Sequence, residues 1–209
     1  MTETENTTGQ IAADREGSRY HLLVLGCGNN FSGDDQAGLI FIQRLQVRGN
    51  CSCELRPMPQ AGVALLEIVS ETDMLLVVDA VVSGSPPGTL HLVPMPWPGI
   101  ESRGLSALSG HGWGLKEVLD LARALGRPIP RLMLLGIEVA SVASGTTLSP
   151  AVEQAVALAV ARFEAVRDLL LNPAASAWQS PQRFPPDDAF FPAGLSQRAG
   201  VPGSLKPNK

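Results

Sequence analysis

Three residues stand out for the chemistry they could do together: Asp35, Asp79 and His111. Asp79 interrupts an apolar stretch, Val77-Val78-Asp79-Ala80. An acid there costs stability unless it is paired or holds a ligand, so its place argues for function. His111 lies between glycines in Ser109-Gly110-His111-Gly112, where no packing role explains it. Asp35 follows an apolar run and opens a helical pattern. Acids suit a helix start, and the neighbouring Asp34 reads as a cap of that helix. Two carboxylates and one imidazole suit a borderline divalent metal such as nickel or zinc. His21 and His91 read as structural, one at a strand start and one in a strand that returns from a turn.

Other chemistries fit less well. Cys27 ends an apolar run and could act as a nucleophile with His111, but a free cysteine more often fills a core. Gly26-Cys-Gly28-Asn-Asn-Phe31 begins like a dinucleotide-binding loop. Phe31 replaces the third glycine, and no acid follows to hold a ribose. The nucleophile elbow Gly-x-Ser-x-Gly and the zinc motif His-Glu-x-x-His are absent from the sequence. Gly26, Gly28 and Asn29 are candidates for shaping a substrate cleft, with backbone amides beside a helix start.

Elements must bring these positions together. Tyr20 to Cys27 predicts a buried strand, and Asp34 to Arg48 a helix with Ala37, Ile40, Phe41, Leu45 and Val47 along one stripe. Cys53 to Met58 predicts a short strand and Ala61 to Ser70 a helix. Met74 to Val82 predicts the strongest strand, followed by a turn at 83–88 and a returning strand over 89–93. Residues 94–109 read as a loop. Trp113 to Gly126 predicts a helix with Leu115, Val118, Leu119, Ala122 and Leu125 on one face, and Arg131 to Val139 a strand. Ser149 and Pro150 begin the last helix as N-cap and first residue. This alternation predicts an α/β fold of three layers. Its twisted sheet is mostly parallel, with about five strands, one of them antiparallel, and helices on both faces. Ligands in such folds gather at the carboxyl ends of the strands, where all three candidate residues fall.

Composition bounds the rest. The chain has 209 residues, 44% of them hydrophobic, enough for one packed domain. Residues 1–18 read as a flexible leader, 19–171 as the domain and 172–209 as a disordered proline-rich tail. Trp178, Phe184, Phe190 and Phe191 leave room there for a docking segment. The net charge of −4 argues against nucleic acid or a basic membrane contact. No run reaches the roughly 18 apolar residues a membrane helix needs, and the polar N-terminus is no secretory signal. Three cysteines, with Cys51 and Cys53 only one residue apart, predict no disulfide framework. A cytoplasmic, reduced, monomeric protein is expected.

Five motifs in register resemble the hydrogenase maturation proteases. They are Leu23-Val-Leu-Gly-Cys-Gly-Asn29 with Gly33-Asp-Asp35 and Gly38; Val78-Asp-Ala80 with Pro87-Gly-Thr-Leu90; Ser109-Gly-His-Gly-Trp-Gly-Leu115; Leu135-Gly-Ile-Glu138; and Leu148-Ser-Pro-Ala-Val152. The resemblance covers about residues 21–166. It implies an endopeptidase that removes a C-terminal extension from the precursor of the nickel–iron hydrogenase large subunit after nickel insertion. The family's nickel-contacting positions fall on Asp35, Asp79 and His111, and the nickel is carried by the precursor rather than held permanently. The first of these positions is often glutamate in the family, so Asp35 is one methylene shorter. Pro57-Met-Pro-Gln-Ala-Gly62 stands where the family often has a glycine-rich segment. Two other readings stay open: a nickel-recognising binding module or chaperone for the large subunit, and a Cys27-dependent hydrolase.

Overall fold

The structure is a computed structural model and describes residues 21–49, 51–59, 64–95, 106–107, 115–140, 147–172 and 180–186. Strand β1 (Leu22–Cys27) leads through a 3-10 turn (Gly33–Gln36) into helix α1 (Ala37–Arg48). Then come β2 (Glu54–Met58), α2 (Ala64–Glu71), β3 (Met74–Val82), β4 (Leu90–Met95) and the two-residue β5 (Ser106–Ala107). Helix α3 (Leu115–Ala124), β6 (Arg131–Glu138), α4 (Pro150–Ala161), α5 (Phe163–Leu171) and β7 (Gln182–Phe184) complete the described chain. Among the described residues, no helix is long and apolar enough to cross a membrane.

The strands form one sheet in the order β2-β1-β3-β6-β4-β7, with β5 on the end of β3. Strands β1, β2, β3 and β6 are parallel. β4, β7 and β5 pair antiparallel to β6, β4 and β3. β3 is buried from Met74 to Val81. A strand covered on both faces reads as an unbroken apolar run, and this one lies between two parallel neighbours. Alternate residues feed two cores. Leu22, Val24, Met74, Leu76, Val78, Met133, Leu135 and Ile137 pack with Phe41, Ile42 and Leu45 of α1 and with apolar residues of α4 and α5. Leu23, Leu25, Leu75, Val77, Leu132 and Leu134 pack with Leu65 and Val69 of α2 and with Leu115, Val118 and Leu119 of α3. The three-layer α/β expectation therefore describes the molecule.

Several details differ from the expectation. β4 does not return along β3. β6 lies between them, because both edges of the apolar β3 are taken, one by β1 and one by β6. The predicted loop over 94–109 contains β5, which pairs with Val81 and Val82 beyond the end of β1. The proline-rich tail is not wholly irregular: β7 pairs with Leu90–Leu92, and Phe184 is buried in the larger core. Pro181 and Pro185 flank this strand without interrupting its ladder. The single last helix is two, broken at Arg162. Val47 is exposed because it lies off the buried stripe of α1, and Leu125 because it falls in the turn after α3. Cys51 and Cys53 form a disulfide, which spacing alone predicts against. The chain bends at Ser52 and Cys53, bringing the two Cα atoms to 5.3 Å, within bridging range.

Helix α1 approaches the sheet closely. A Cβ on Gly26 would lie 2.1 Å from the Gly38 carbonyl oxygen, and one on Gly38 would lie 2.2 Å from that of Val78 and 2.4 Å from that of Cys27. Two glycines facing one another thus fix where the helix begins, and with it the turn that carries Asp35.

Candidate active site

Asp35 sits in the 3-10 turn between β1 and α1, and this turn lies against β3. The loop before it is closely tied. The Ser32 amide donates to the Asn29 carbonyl at 3.2 Å, the Asp35 amide to that of Ser32 at 2.8 Å, and the Asn29 amide to that of Asp35 at 3.3 Å. Gly28 has φ of 144°, and a Cβ there would lie 2.0 Å from the Asp35 carbonyl oxygen. Only glycine lets the backbone fold back so tightly. The turn is buried throughout, Asp34 and Asp35 included.

Asp34 serves a different end from the one its sequence suggests. Its Oδ1 accepts the Ser149 backbone amide at 2.6 Å, across a separation of 115 residues. Ser149 is the N-cap of α4 and Pro150 its first residue, as expected, but the Ser149 hydroxyl makes no capping bond. Asp34 thus ties the turn before α1 to the start of α4 rather than capping α1.

Asp79 is buried on β3, with Oδ1 accepting the Ala80 amide at 2.9 Å. Burial pushes its carboxyl up to about 7, and the Asp35 charge adds to the rise, against a smaller opposing effect of the Ala80 amide. Cys27 is a free, buried thiol pushed well above its ordinary value, by burial first and then by the charges of Asp79 and Asp35. The structure therefore brings Asp35, Asp79 and Cys27 together at the carboxyl ends of the neighbouring strands β1 and β3. His111 lies outside the described residues; β5 ends four positions before it in the chain. Among the described residues, no group of three His, Cys, Asp or Glu side chains forms a metal site.

This arrangement favours carboxylate chemistry. A carboxyl that titrates near neutrality can both accept and donate a proton at ordinary pH. Two acids close together disfavour each other's charge, a repulsion that a proton or a cation between them would relieve. The thiol is disfavoured as a nucleophile, because its thiolate would be buried beside two acids. Gly26, expected to shape a cleft, is a packing residue: it sits within β1, paired with Pro57 and Val78, and its missing side chain faces α1. Asn29 organises the loop, its Oδ1 accepting the Phe31 amide at 3.0 Å.

A second buried polar group escaped the sequence argument. Glu138 and His91 are 1% and 2% exposed and are joined at 2.9 Å. Glu138 also accepts the Ser83 amide and hydroxyl, each at 2.7 Å. The signal that marked Asp79, an acid in an apolar strand, is present at Glu138 too. His91 remains structural, and its imidazole is lowered by burial, which outweighs the Glu138 bond. His21 is tied at the opposite edge, its amide donating to Asp73 Oδ2 at 3.1 Å.

The sequence model of the hydrogenase maturation protease family (HycI) matches residues 60–166, which is half of the chain. The chain belongs to the hydrogenase maturation proteases. Among curated relatives, the hydrogenase expression/formation protein HupM of Azotobacter chroococcum mcd 1 is 32% identical over 167 residues, covering 75% of this chain and 78% of that protein. The hydrogenase 2 maturation protease of Escherichia coli strain K12 is 30% identical over 135 residues, covering 63% and 81%. Among solved structures, the hydrogenase maturating endopeptidase HybD of E. coli superimposes with a TM-score of 0.58 at 26% identity, covering 81% of this chain and 99% of that one. This maturation protease is a peptidase that acts in processing the hydrogenase large subunit. Its candidate carboxylates lie on both sides of the matched boundary: Asp79 within it, Asp35 before it.

Proposed function

We propose that this maturation protease removes the C-terminal extension of the nickel–iron hydrogenase large-subunit precursor once nickel is in place, and that Asp35, Asp79 and His111 meet that nickel. The observation that carries this reading is the buried Asp79 carboxyl, held near neutrality beside Asp35. Such a group has little reason to persist in an apolar strand unless a cation or a proton transfer uses it. The nickel belongs to the substrate. On binding, its charge would displace the proton that Asp79 carries and align the peptide next to it. One carboxylate then takes a proton from water as the oxygen attacks the scissile carbonyl, and returns it to the departing amine. The products are the mature subunit and a free C-terminal peptide.

Incubation of the full-length protein with nickel-loaded and nickel-free precursor, read by mass spectrometry, tests this. The nickel-loaded precursor should lose the mass of its extension, and the nickel-free one should stay intact. Asp35→Ala, Asp79→Ala and His111→Ala should each slow processing strongly, while Cys27→Ala should retain it. A stable complex without cleavage would favour a binding module. Full activity of His111→Ala, or efficient cleavage without nickel, would overturn the mechanism.

A further inference from the structure

Phe31 is 79% exposed, on the loop that leads from β1 to Asp35. Its place is fixed. The Asn29 side chain holds its amide, and the following residue, Ser32, is bonded on one side to Asn29 and on the other to Asp35. An aromatic ring is thus offered to solvent from a backbone tied directly to the candidate site. Among the described residues, Val82 is a second exposed apolar side chain, 39% exposed at the end of β3. Because β1 and β3 are neighbours, the Phe31 loop and Val82 follow adjacent strand ends. The two remaining exposed large apolar residues among those described, Val47 near the end of α1 and Leu125 just after α3, have no such company.

Rigid presentation gives this exposure its meaning. A ring with two rotatable bonds on a fixed backbone loses little freedom when it is covered, so its burial by a partner goes into affinity. A peptide that brings its scissile bond to Asp35 comes close to the loop that carries both Asp35 and Phe31.

We infer that Phe31 is a specificity-determining residue, whose ring receives an apolar side chain of the precursor's C-terminal segment near the scissile bond. The inference rests on the reading of that precursor as substrate. Its test compares wild type, Phe31→Ala and Phe31→Leu on nickel-loaded precursor, measuring KM, kcat, the Kd of the complex and Tm. Phe31→Ala should raise KM and Kd about tenfold, the equivalent of one good apolar contact. It should leave kcat within about twofold and should not lower Tm, and Phe31→Leu should restore most of the affinity. Unchanged KM and Kd in Phe31→Ala would overturn the inference. So would a parallel fall in Tm and kcat, because the ring would then serve the fold. If wild type binds the precursor without cutting it, a Phe31-dependent Kd still supports the contact while the protease reading fails. A wild type that does not bind the precursor overturns both.

Discussion

Asp79 shows what one buried acid does to stability as well as to chemistry. In the unfolded chain its carboxyl ionises near 3.8; in the folded protein it keeps its proton until about 7. Below pH 4 the carboxyl is protonated in both states, and its ionisation costs folding nothing. As pH rises from there to about 7, the unfolded chain releases the proton more readily, and stability falls; above 7 the loss is constant. The ceiling of that loss is about 4 kcal/mol. Asp79→Asn should therefore stabilise the protein more at pH 8 than at pH 5, as read from urea unfolding at each pH. An equal gain at both would show that Asp79 titrates normally. Asp79 was legible in the sequence because an acid in an apolar run needs no knowledge of the fold to look out of place. Asp34 was not, because its partner, the Ser149 amide, lies 115 residues away and no local pattern announces it. Glu138 shows the limit of the same signal: the acid was visible, but His91 and Ser83, which hold it, belong to separate segments.

Elements were easier to read than their neighbours. Alternating strands and helices follow from hydrophobic period, and β3 matches its predicted bounds, Met74–Val82. Pairing does not follow from period. The turn at 83–88 suggests a hairpin, yet β6 takes the place beside β3 and sends β4 one strand outward. The proline-rich tail likewise conceals β7, because a three-residue strand carries too little pattern to see. Two predictions belong here. Gly38→Ala places a methyl group against two backbone carbonyls that have nowhere to go. It should cost about 3 kcal/mol or more in urea unfolding and displace the turn that carries Asp35, so processing should fall with stability. For the tail, deletion of residues 173–209 removes β7 and the buried Phe184, and opens the edge of β4. It should lower Tm by about 5 °C or more relative to a deletion of 187–209 only, which keeps that strand. Equal melting temperatures would show that β7 contributes nothing to the fold.

At the scale of the whole molecule, the site exists only because distant segments are woven through one strand. β3 carries Asp79, and its two parallel partners come from opposite directions along the chain. Leu22 of β1 pairs with Met74, and Met74 with Arg131 of β6, so each partner is about fifty residues away. Parallel pairing allows no short turn, so bringing the Asp35 turn against the strand of Asp79 closes a long loop. This has a consequence for how the protein comes into being. On a ribosome, β3 emerges with β1 ready to pair but with its other edge bare until β6 has been synthesised. During that interval a nine-residue apolar strand is half covered. A nascent chain in that state is open to wrong partners, and its folding is slow for its size. The enzyme that finishes another protein's maturation thus has a vulnerable passage in its own synthesis, set by the strand order that builds its site.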